Sequence, residues 1–238
     1  MDGIIRAGLD EMGLADRADP GAPALLDRYG QLLLQKNQVM NLTAITEPEQ
    51  AARLHMLDCA ALLNCAGFAG KTLIDVGTGA GFPGMVLKIL CPSLEVTLLD
   101  SLGKRLDWLE EVCGELGLRG VRTIHARAEE KGHDPDFRER FDFAASRAVA
   151  ALPVLAELCL PLVRVGGQFL SMKSLDSDQE LRQAEHAVEL LGGTVESVRD
   201  YDIPGTDVRH RLILIKKIRE TKKKYPRTFA KIKRNPLY

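Results

Sequence analysis

From residue 71 onward, short apolar segments alternate with amphipathic ones, and this alternation constrains the fold more than any other feature of the sequence. The apolar segments predict strands at about 71–76, 94–99, 120–125, 141–146 and 167–172. The intervening and following segments predict helices at about 83–91, 103–117, 151–165 and 176–191. Strands that alternate with helices form a parallel sheet covered on both faces. We therefore expect an α/β domain with a doubly wound sheet.

The last two predicted strands lie at about 194–202 and 208–217. They are joined by the turn-rich segment Asp202–Asp207, which is too short for a crossover helix. We therefore expect these two strands to pair antiparallel.

The first 65 residues are predicted to be helical. Apolar residues recur at helical spacing around Tyr29, and Thr46–Glu49 has the pattern of a capping box that opens a third helix through Leu63. We accordingly divide the chain into a helical extension (1–65), an α/β domain (66–218) and a basic C-terminal tail (219–238).

The composition is that of a soluble globular protein, with 45% hydrophobic and 27% charged residues. The five cysteines form no Cys-x-x-Cys pair, so we expect neither a disulfide framework nor a metal site. The first residues lack a basic start followed by an apolar core, and no apolar run is long enough to cross a bilayer. We expect a cytoplasmic protein that does not bind membranes.

The first strand of the α/β segment ends in the stretch LIDVGTGAGFPG, residues 73–84. A glycine loop between a first parallel strand and a helix is where nucleotide-like ligands bind, because glycine lets the backbone approach the ligand closely. Gly79–Gly84 matches the G-x-G-x-x-G pattern of dinucleotide sites, which is a weak signal alone. Asp75 would repel a pyrophosphate but attract a cationic ligand such as S-adenosylmethionine. We therefore favour S-adenosylmethionine, bound by the loop residues Asp75, Gly77, Gly79 and Gly81.

Two further positions complete the predicted ligand site. Asp100 closes the second strand, where an acid can accept both hydroxyls of a ribose. Ala128 and Glu129 follow the third strand, where a backbone N–H and a carboxylate could meet the edge of an adenine. The alternative is that Asp75 and Asp100 only end strands and cap helices.

Basic residues occur at the same predicted edge and in the tail. Lys104 and Arg105 lie in the first turn of a helix, where cations oppose the helix dipole, and Arg147 and Lys173 each follow a strand. Residues 216–234 contain ten Lys and Arg and a single acid. This distribution suggests a polyanionic partner, although a solvated tail would have the same composition. The predicted contacts to that partner are Arg53, Lys104, Arg105, Lys173, Lys222, Lys223, Lys224 and Arg227.

His55 and Asp58 are spaced to form an oriented pair on one helix face. We expect His55 to support positioning at the mouth of the site, together with Arg147 and Lys173. No residue pattern suggests a nucleophile with its base.

Several motifs together resemble one family in particular. They are NLTAITEPEQAARLHMLDC (41–59), LIDVGTGAGFPG (73–84), LLDSLGKR (98–105), SRAVA (146–150) and YPRTFAKIKRNPL (225–237). In this order they resemble the bacterial small-subunit ribosomal RNA guanine-N7 methyltransferases, also called the glucose-inhibited division protein B family. The sequence departs from the family pattern at Phe82, where an aliphatic residue is common, and at Cys59, where serine is usual.

The resemblance implies a seven-stranded class I methyltransferase fold with an antiparallel last strand and a helical N-terminal extension. It implies S-adenosylmethionine as cofactor, held at Gly77, Phe82, Ala128, Glu129 and Arg147. The implied substrate is guanine N7 of 16S ribosomal RNA, as free RNA or in the small ribosomal subunit, with no DNA partner and a monomeric enzyme. The alternatives are a non-catalytic ribosome-assembly factor and a nicotinamide-dependent oxidoreductase.

Overall fold

The computed structural model describes all 238 residues, and its centre is one seven-stranded sheet. The strands are β1 (Thr72–Val76), β2 (Glu95–Asp100), β3 (Val121–His125), β4 (Phe141–Arg147), β5 (Val163–Ser174), β6 (Gly193–Asp202) and β7 (Arg209–Lys217). Their order across the sheet is β3-β2-β1-β4-β5-β7-β6. All neighbours pair parallel except β7, which is antiparallel to β5 and to β6. The predicted doubly wound sheet with an antiparallel last strand is confirmed.

Ten α-helices surround or extend the sheet. They are α1 (Asp2–Glu11), α2 (Ala22–Met40), α3 (Pro48–Ala51), α4 (Asp58–Ala60), α5 (Gly84–Leu90), α6 (Gly103–Glu115), α7 (Ala128–Lys131), α8 (Leu152–Cys159), α9 (Asp178–Leu190) and α10 (Phe229–Arg234). A π-helix (Ala52–Leu57) joins α3 to α4, and short 3₁₀ turns span Ala61–Asn64, Leu160–Leu162 and Leu175–Ser177. None of these helices is both long and apolar enough to cross a membrane.

Alternate side chains of each strand supply two hydrophobic cores, one on each face of the sheet. In β1, Leu73 belongs to the core covered by the N-terminal helices, α5 and α6. The next residue, Ile74, belongs to the core covered by α8, α9 and part of the C-terminal segment. Burial of both faces explains the nearly continuous apolar runs of the central strands.

The N-terminal helices pack directly against the α/β domain. Leu26 and Tyr29 of α2 are fully buried in the same core as Leu73. The predicted third helix is present as the continuous run 48–64, but its capping box is wrong. Pro48 occupies the first helical position, which makes Glu47 the N-cap residue in place of Thr46, and no side chain caps the helix.

The C-terminal segment is docked on the body of the protein. Tyr225 and Ile232 are buried in the core beneath α8 and α9. The Arg138 guanidinium donates to the carbonyl of Tyr225 at 2.9 Å, and the His133 ring lies 2.7 Å from the carbonyl of Pro226. Basic side chains of this segment are therefore presented from a fixed backbone.

Candidate functional site

The glycine loop, residues 77–82, lies at the carboxyl edge of the sheet between β1 and α5. The N–H groups of Gly77 and Thr78 both donate to the carbonyl of Leu99, at 2.8 and 3.1 Å, which ties the loop to the end of β2. Since β1, β2 and β4 are neighbours in the sheet, their carboxyl ends meet at this loop. This is the edge at which open α/β sheets bind ligands.

Asp75 lies beneath the loop and does not face any ligand cavity, which differs from the role predicted for it. Its side chain is fully buried, and Oδ2 accepts hydrogen bonds from the Thr78 hydroxyl at 2.6 Å and the Gly84 N–H at 2.9 Å. Burial raises the pKa of Asp75 to about 6, although these two hydrogen bonds oppose the shift. Asp75 therefore holds the loop in shape from below.

The three predicted glycines have two different functions. Gly77, Gly79 and Gly81 all have positive φ, of 72°, 58° and 92°. A Cβ on Gly79 would meet nothing closer than a carbonyl oxygen at 4.0 Å, so this backbone faces open space. A Cβ on Gly81 would lie 2.6 Å from Met85 Cγ and closer still to the Tyr29 hydroxyl. Gly79 therefore leaves room for a ligand, whereas Gly81 allows the loop to pack against the core.

Asp100 is placed as predicted, at the end of β2 beside the loop. Oδ2 accepts the Gly79 N–H at 2.9 Å, and Oδ1 accepts the Leu102 N–H at 2.9 Å. A carboxylate has about four acceptor positions, so about two remain for hydroxyl donors of a ligand. Asp100 also lines both of the cavities that meet at this point.

Three adjoining cavities follow the carboxyl edge of the sheet. The first, the Ala128 cavity, has a volume of about 120 Å³ and is bordered by Leu99, Ala128 and Glu129 among others. The second, the Gly79 cavity, measures about 400 Å³ and shares Gly77 and Asp100 with the first.

The third, the Lys173 cavity, measures about 540 Å³ and shares His55 and Arg147 with the Gly79 cavity. Most of the predicted site residues therefore border one row of adjoining cavities.

Arg147 forms the boundary between the second and third cavities. Its NH1 donates to Asp58 Oδ2 at 3.0 Å and to the carbonyl of Leu54 at 3.1 Å, and its NH2 donates to His55 Nδ1 at 3.0 Å. The guanidinium also lies 4.7 Å from the centre of the Phe82 ring. A guanidinium has five N–H donors, so two remain without a partner in the chain. These can bind a negatively charged group of a ligand.

His55 and Asp58 do not bond to each other, which corrects the predicted pair, because Arg147 lies between them. Asp58 is 1% exposed, and its Oδ1 accepts hydrogen bonds from Tyr201 and His210, each at 2.8 Å. Burial opposes ionisation of Asp58, but the His210 hydrogen bond and the Arg147 charge lower its pKa overall. The Asp58 hydrogen bond raises the pKa of His210 despite partial burial.

The hydrogen bonds of His55 fix its tautomer. Because Arg147 can only donate, Nδ1 of His55 must accept. Nε2 of the neutral ring then carries the proton and donates it to the Thr43 hydroxyl oxygen at 2.8 Å. Burial and the Arg147 charge lower the pKa of His55 to about 4. The ring also stacks on Phe82, with centroids 4.5 Å apart. His55 is thus a neutral support for Arg147 and Phe82.

The predicted basic residues are divided between the cavities and the surface. Lys173 lines the third cavity, where its Nζ contacts Glu180 at 2.7 Å and the carbonyl of Ala150 at 2.6 Å. Arg105 lines the second cavity, 3.8 Å from Asp100, whereas Lys104 is exposed and borders none of them.

Arg53 donates to Glu49 and to the carbonyl of Pro204. Lys222, Lys223 and Lys224 are exposed.

The Arg227 side chain pairs with a buried acid. The sequence predicted Arg227 as an RNA contact and did not predict this pair. Its NH2 and backbone N–H donate to the carboxylate of Glu157 at 2.7 and 2.8 Å, and Glu157 is 0% exposed. This pair anchors the C-terminal segment to α8. Two of the five N–H donors of the Arg227 side chain are thereby engaged by Glu157, and three remain for another partner.

Several residues at the site were missed by sequence reasoning. The Tyr29 hydroxyl donates to the carbonyl of Ala80 within the glycine loop. Tyr201 and His210 complete the Asp58 cluster, and Phe229 borders the Ala128 cavity. Tyr29 was visible only as part of an apolar helix face and Phe229 only as part of the motif at 225–237, whereas Tyr201 and His210 gave no local signal.

The cavities fit an elongated ligand with three chemically distinct parts. The Ala128 cavity is mostly apolar and suits a flat ring, and Asp100 offers acceptors to hydroxyl groups beside it. Arg147 offers donors to a negatively charged group at the far end of the Gly79 cavity. A nucleoside linked to an amino acid has these parts in this order.

A family model described as "rRNA small subunit methyltransferase G" matches residues 23–209. The chain is 48% identical over 209 residues to the "Ribosomal RNA small subunit methyltransferase G" of Acetivibrio thermocellus, covering 88% of this chain and 86% of that protein. It is 41% identical over 235 residues to the protein of the same name from Clostridium perfringens, covering 98% of each. Among solved structures, a ribosomal protein L11 methylase from Lactobacillus delbrueckii subsp. bulgaricus is similar in fold. It has a TM-score of 0.54 and 17% identity, with coverage of 70% of this chain and 79% of that one.

Proposed function

The chain belongs to the rRNA small subunit methyltransferase G family, and we propose that it methylates N7 of a guanine in 16S ribosomal RNA with S-adenosylmethionine as methyl donor. The observation that carries this proposal is the row of three adjoining cavities along the carboxyl edge of the sheet, which share lining residues. Two of them match the parts of the methyl donor, and the third leaves room for a base. We assign the reaction to the cytoplasm, where ribosomal RNA is available.

The residues that would hold the cofactor follow from the chemistry of the first two cavities. Ala128 and Glu129 border the space for the adenine, Asp100 would accept the ribose hydroxyls, and Gly79 leaves the backbone open beside the chain of the methionine. The free donors of Arg147 would bind the carboxylate of the methionine. The cofactor supplies an activated methyl group on a positively charged sulfur.

N7 as the nucleophile requires positioning by the chain and no proton acceptor. The N7 lone pair of guanine is free at neutral pH, so no base has to create it. Asp58 is engaged through both carboxylate oxygens, and both ring nitrogens of His55 have partners. Most of the rate should then come from holding the base and the methyl group in line.

The Lys173 cavity is our assignment for the guanine. Guanine exposes two acceptors, N7 and O6, on one edge. The polar groups of the cavity include the donors Lys173 and Arg147 and the ring of His210, whose Nε2 has no partner in the chain. A donor to O6 would orient the base while N7 points toward the Gly79 cavity.

The surrounding cations would bind the RNA backbone. Lys104 and Lys222–Lys224 are exposed, Arg105 lines the Gly79 cavity, and Arg53 precedes Leu54 of the Lys173 cavity in the sequence. N7 lies in the deep groove of A-form RNA, which side chains reach poorly, so we expect the target base to be unpaired or turned outward. Only 5% of the residues are aromatic, so phosphate contacts should supply much of the affinity.

The deciding experiment is mass mapping of modified guanines in 16S RNA from cells with and without this protein. We expect one 7-methylguanine to disappear in the deleted strain and to return with the wild-type chain. It should not return with Asp100→Ala, which removes the proposed ribose contact. Retention of every methylguanine in the deleted strain would contradict the proposal.

Two binding measurements separate the alternatives. Calorimetry should detect S-adenosylmethionine binding, and its absence would favour a non-catalytic assembly factor. A fluorescence titration with NADH should detect no binding, and saturable binding there would favour an oxidoreductase.

A further inference from the structure

The Ala128 cavity is partly closed by a residue from the far end of the chain. Seven of its twelve lining residues are apolar: Val76, Leu99, Ala126, Ala128, Val149, Leu158 and Phe229. Its volume of about 120 Å³ is similar to that of an engineered cavity of roughly 150 Å³ that binds benzene. Phe229 is the only aromatic residue of the lining and the only one that follows the last strand of the sheet.

The position of Phe229 is fixed by contacts on both sides of it in the sequence. Before it, Arg227 bonds to the buried carboxylate of Glu157. After it, Ile232 is fully buried in the core below the sheet. The aromatic ring is therefore held at the cavity by a docked backbone and not by a free tail.

Phe229 is also connected to a polar residue of the same cavity. The Arg127 guanidinium lies 4.6 Å from the centre of the Phe229 ring, a cation–π distance. The Nε of Arg127 in turn donates to the Glu129 carboxylate at 3.2 Å. The ring thus contributes an apolar wall and helps to hold the arginine that orients Glu129.

We propose that Phe229 binds the adenine ring of the cofactor, so that the docked C-terminal segment, residues 221–237, is a part of the cofactor site. The proposal rests on the proposed function, because it takes S-adenosylmethionine as the ligand of the Ala128 cavity. A ligand that contacts Phe229 only when this segment is docked binds the docked state more tightly, and it stabilises that state by the part of the binding free energy that the Phe229 contact supplies. Cofactor binding should therefore protect the segment.

The affinity test uses calorimetry with S-adenosylhomocysteine and with methylthioadenosine, which has the adenine but lacks the amino-acid end. Replacing an aromatic residue that contacts a base weakens binding by about tenfold or more, so Phe229→Ala should raise both dissociation constants about tenfold. Phe229→Leu should have a smaller effect, since it keeps an apolar wall. Lys231→Ala, an exposed position on the same helix, is the matched control and should bind like the wild type.

The protection test begins with the unmodified chain. Trypsin can cleave at Lys222–Lys224, and we expect S-adenosylhomocysteine to slow that cleavage in the wild type and in Lys231→Ala but much less in Phe229→Ala. The wild-type result does not depend on the folding of any variant.

The outcomes distinguish the inference from the function on which it rests. If the wild type binds both ligands and Phe229→Ala binds them within twofold of it, the inference is wrong and the proposed function stands. The same holds if bound ligand leaves the tryptic cleavage rate of the wild type unchanged. If the wild type binds neither ligand, the proposed function and the inference both fail.

Discussion

Replacing Gly81 with alanine should destabilise the fold, whereas the same replacement at Gly79 should mainly weaken cofactor binding. Both glycines have positive φ, so an alanine at either position costs about 1–2 kcal/mol from backbone strain. The surroundings differ, because Gly79 faces open space and Gly81 faces packed atoms. Comparing the two variants therefore separates the free-energy cost of packing from the cost of backbone strain.

The packing cost at Gly81 follows from its neighbours. A Cβ there would lie 2.6 Å from Met85 Cγ and 2.9 Å from Leu109 Cδ2, with the Tyr29 hydroxyl closer than either. Met85 and Leu109 are fully buried and Tyr29 is fully buried as well, so none can move freely into solvent. Overpacking of this kind costs about 1–3 kcal/mol. We expect Gly81→Ala to lose about 2–5 kcal/mol of unfolding free energy and Gly79→Ala about 1–2 kcal/mol.

Urea unfolding measures the difference directly, since Trp108 is the only tryptophan and is buried. The Tyr29→Phe variant removes the closest atom but also leaves the Ala80 carbonyl without its donor, at a cost of about 1 kcal/mol. Combined with Gly81→Ala, it should cost less than the sum of the two single changes. Equal midpoints for Gly79→Ala and Gly81→Ala, or strict additivity with Tyr29→Phe, would refute the packing argument.

Three further predictions concern charged groups. Arg227→Ala leaves the buried Glu157 carboxylate unpaired and should lower the unfolding free energy by about 3 kcal/mol, while Lys223→Ala should leave it unchanged in the same urea titration. Replacing Lys222–Lys224 with alanine should reduce the slope of log affinity for 16S RNA against log salt by about one for each phosphate that these lysines bind, and an unchanged slope would remove them from the RNA surface. His55 has its pKa lowered from 6.5 to about 4 in the folded chain, so the unfolded chain binds the proton first on acidification. The unfolding free energy should therefore fall between pH 6.5 and 4, and His55→Gln should make that fall shallower; a parallel pH dependence of the two proteins would contradict the buried neutral histidine.

Local sequence pattern was sufficient for the succession of the strands along the chain and for their directions, whereas their order across the sheet was not predicted. Strand and helix periodicities depend on neighbours within a few residues, so β1 and β2 were placed to within one residue of their observed bounds. The short link Asp202–Asp207 was enough to predict the antiparallel pairing of β6 and β7. β5 begins earlier than predicted, at Val163, because Val163 pairs with Phe141 across a register shift that periodicity cannot reveal.

The positions of Asp100, Ala128 and Arg147 also followed from the sequence, because strand ends of a parallel sheet converge on one edge. What each side chain contacts there was decided by tertiary packing. Asp75 was expected beside the ligand, yet the Thr78 hydroxyl and the Gly84 N–H hold it beneath the loop.

Only the folded chain brings together residues that are far apart in sequence. Arg147 meets Asp58, Tyr29 meets Ala80, and Phe229 joins the wall of a cavity that begins at β1. The C-terminal segment is a further example. Its charge suggested a tail, but the pairing of Arg227 with Glu157 makes it part of the domain. The sequence by itself shows the periodicity of neighbouring residues, which determines the helices and strands. The partners of a buried charge or a loop carbonyl are determined by how distant elements pack.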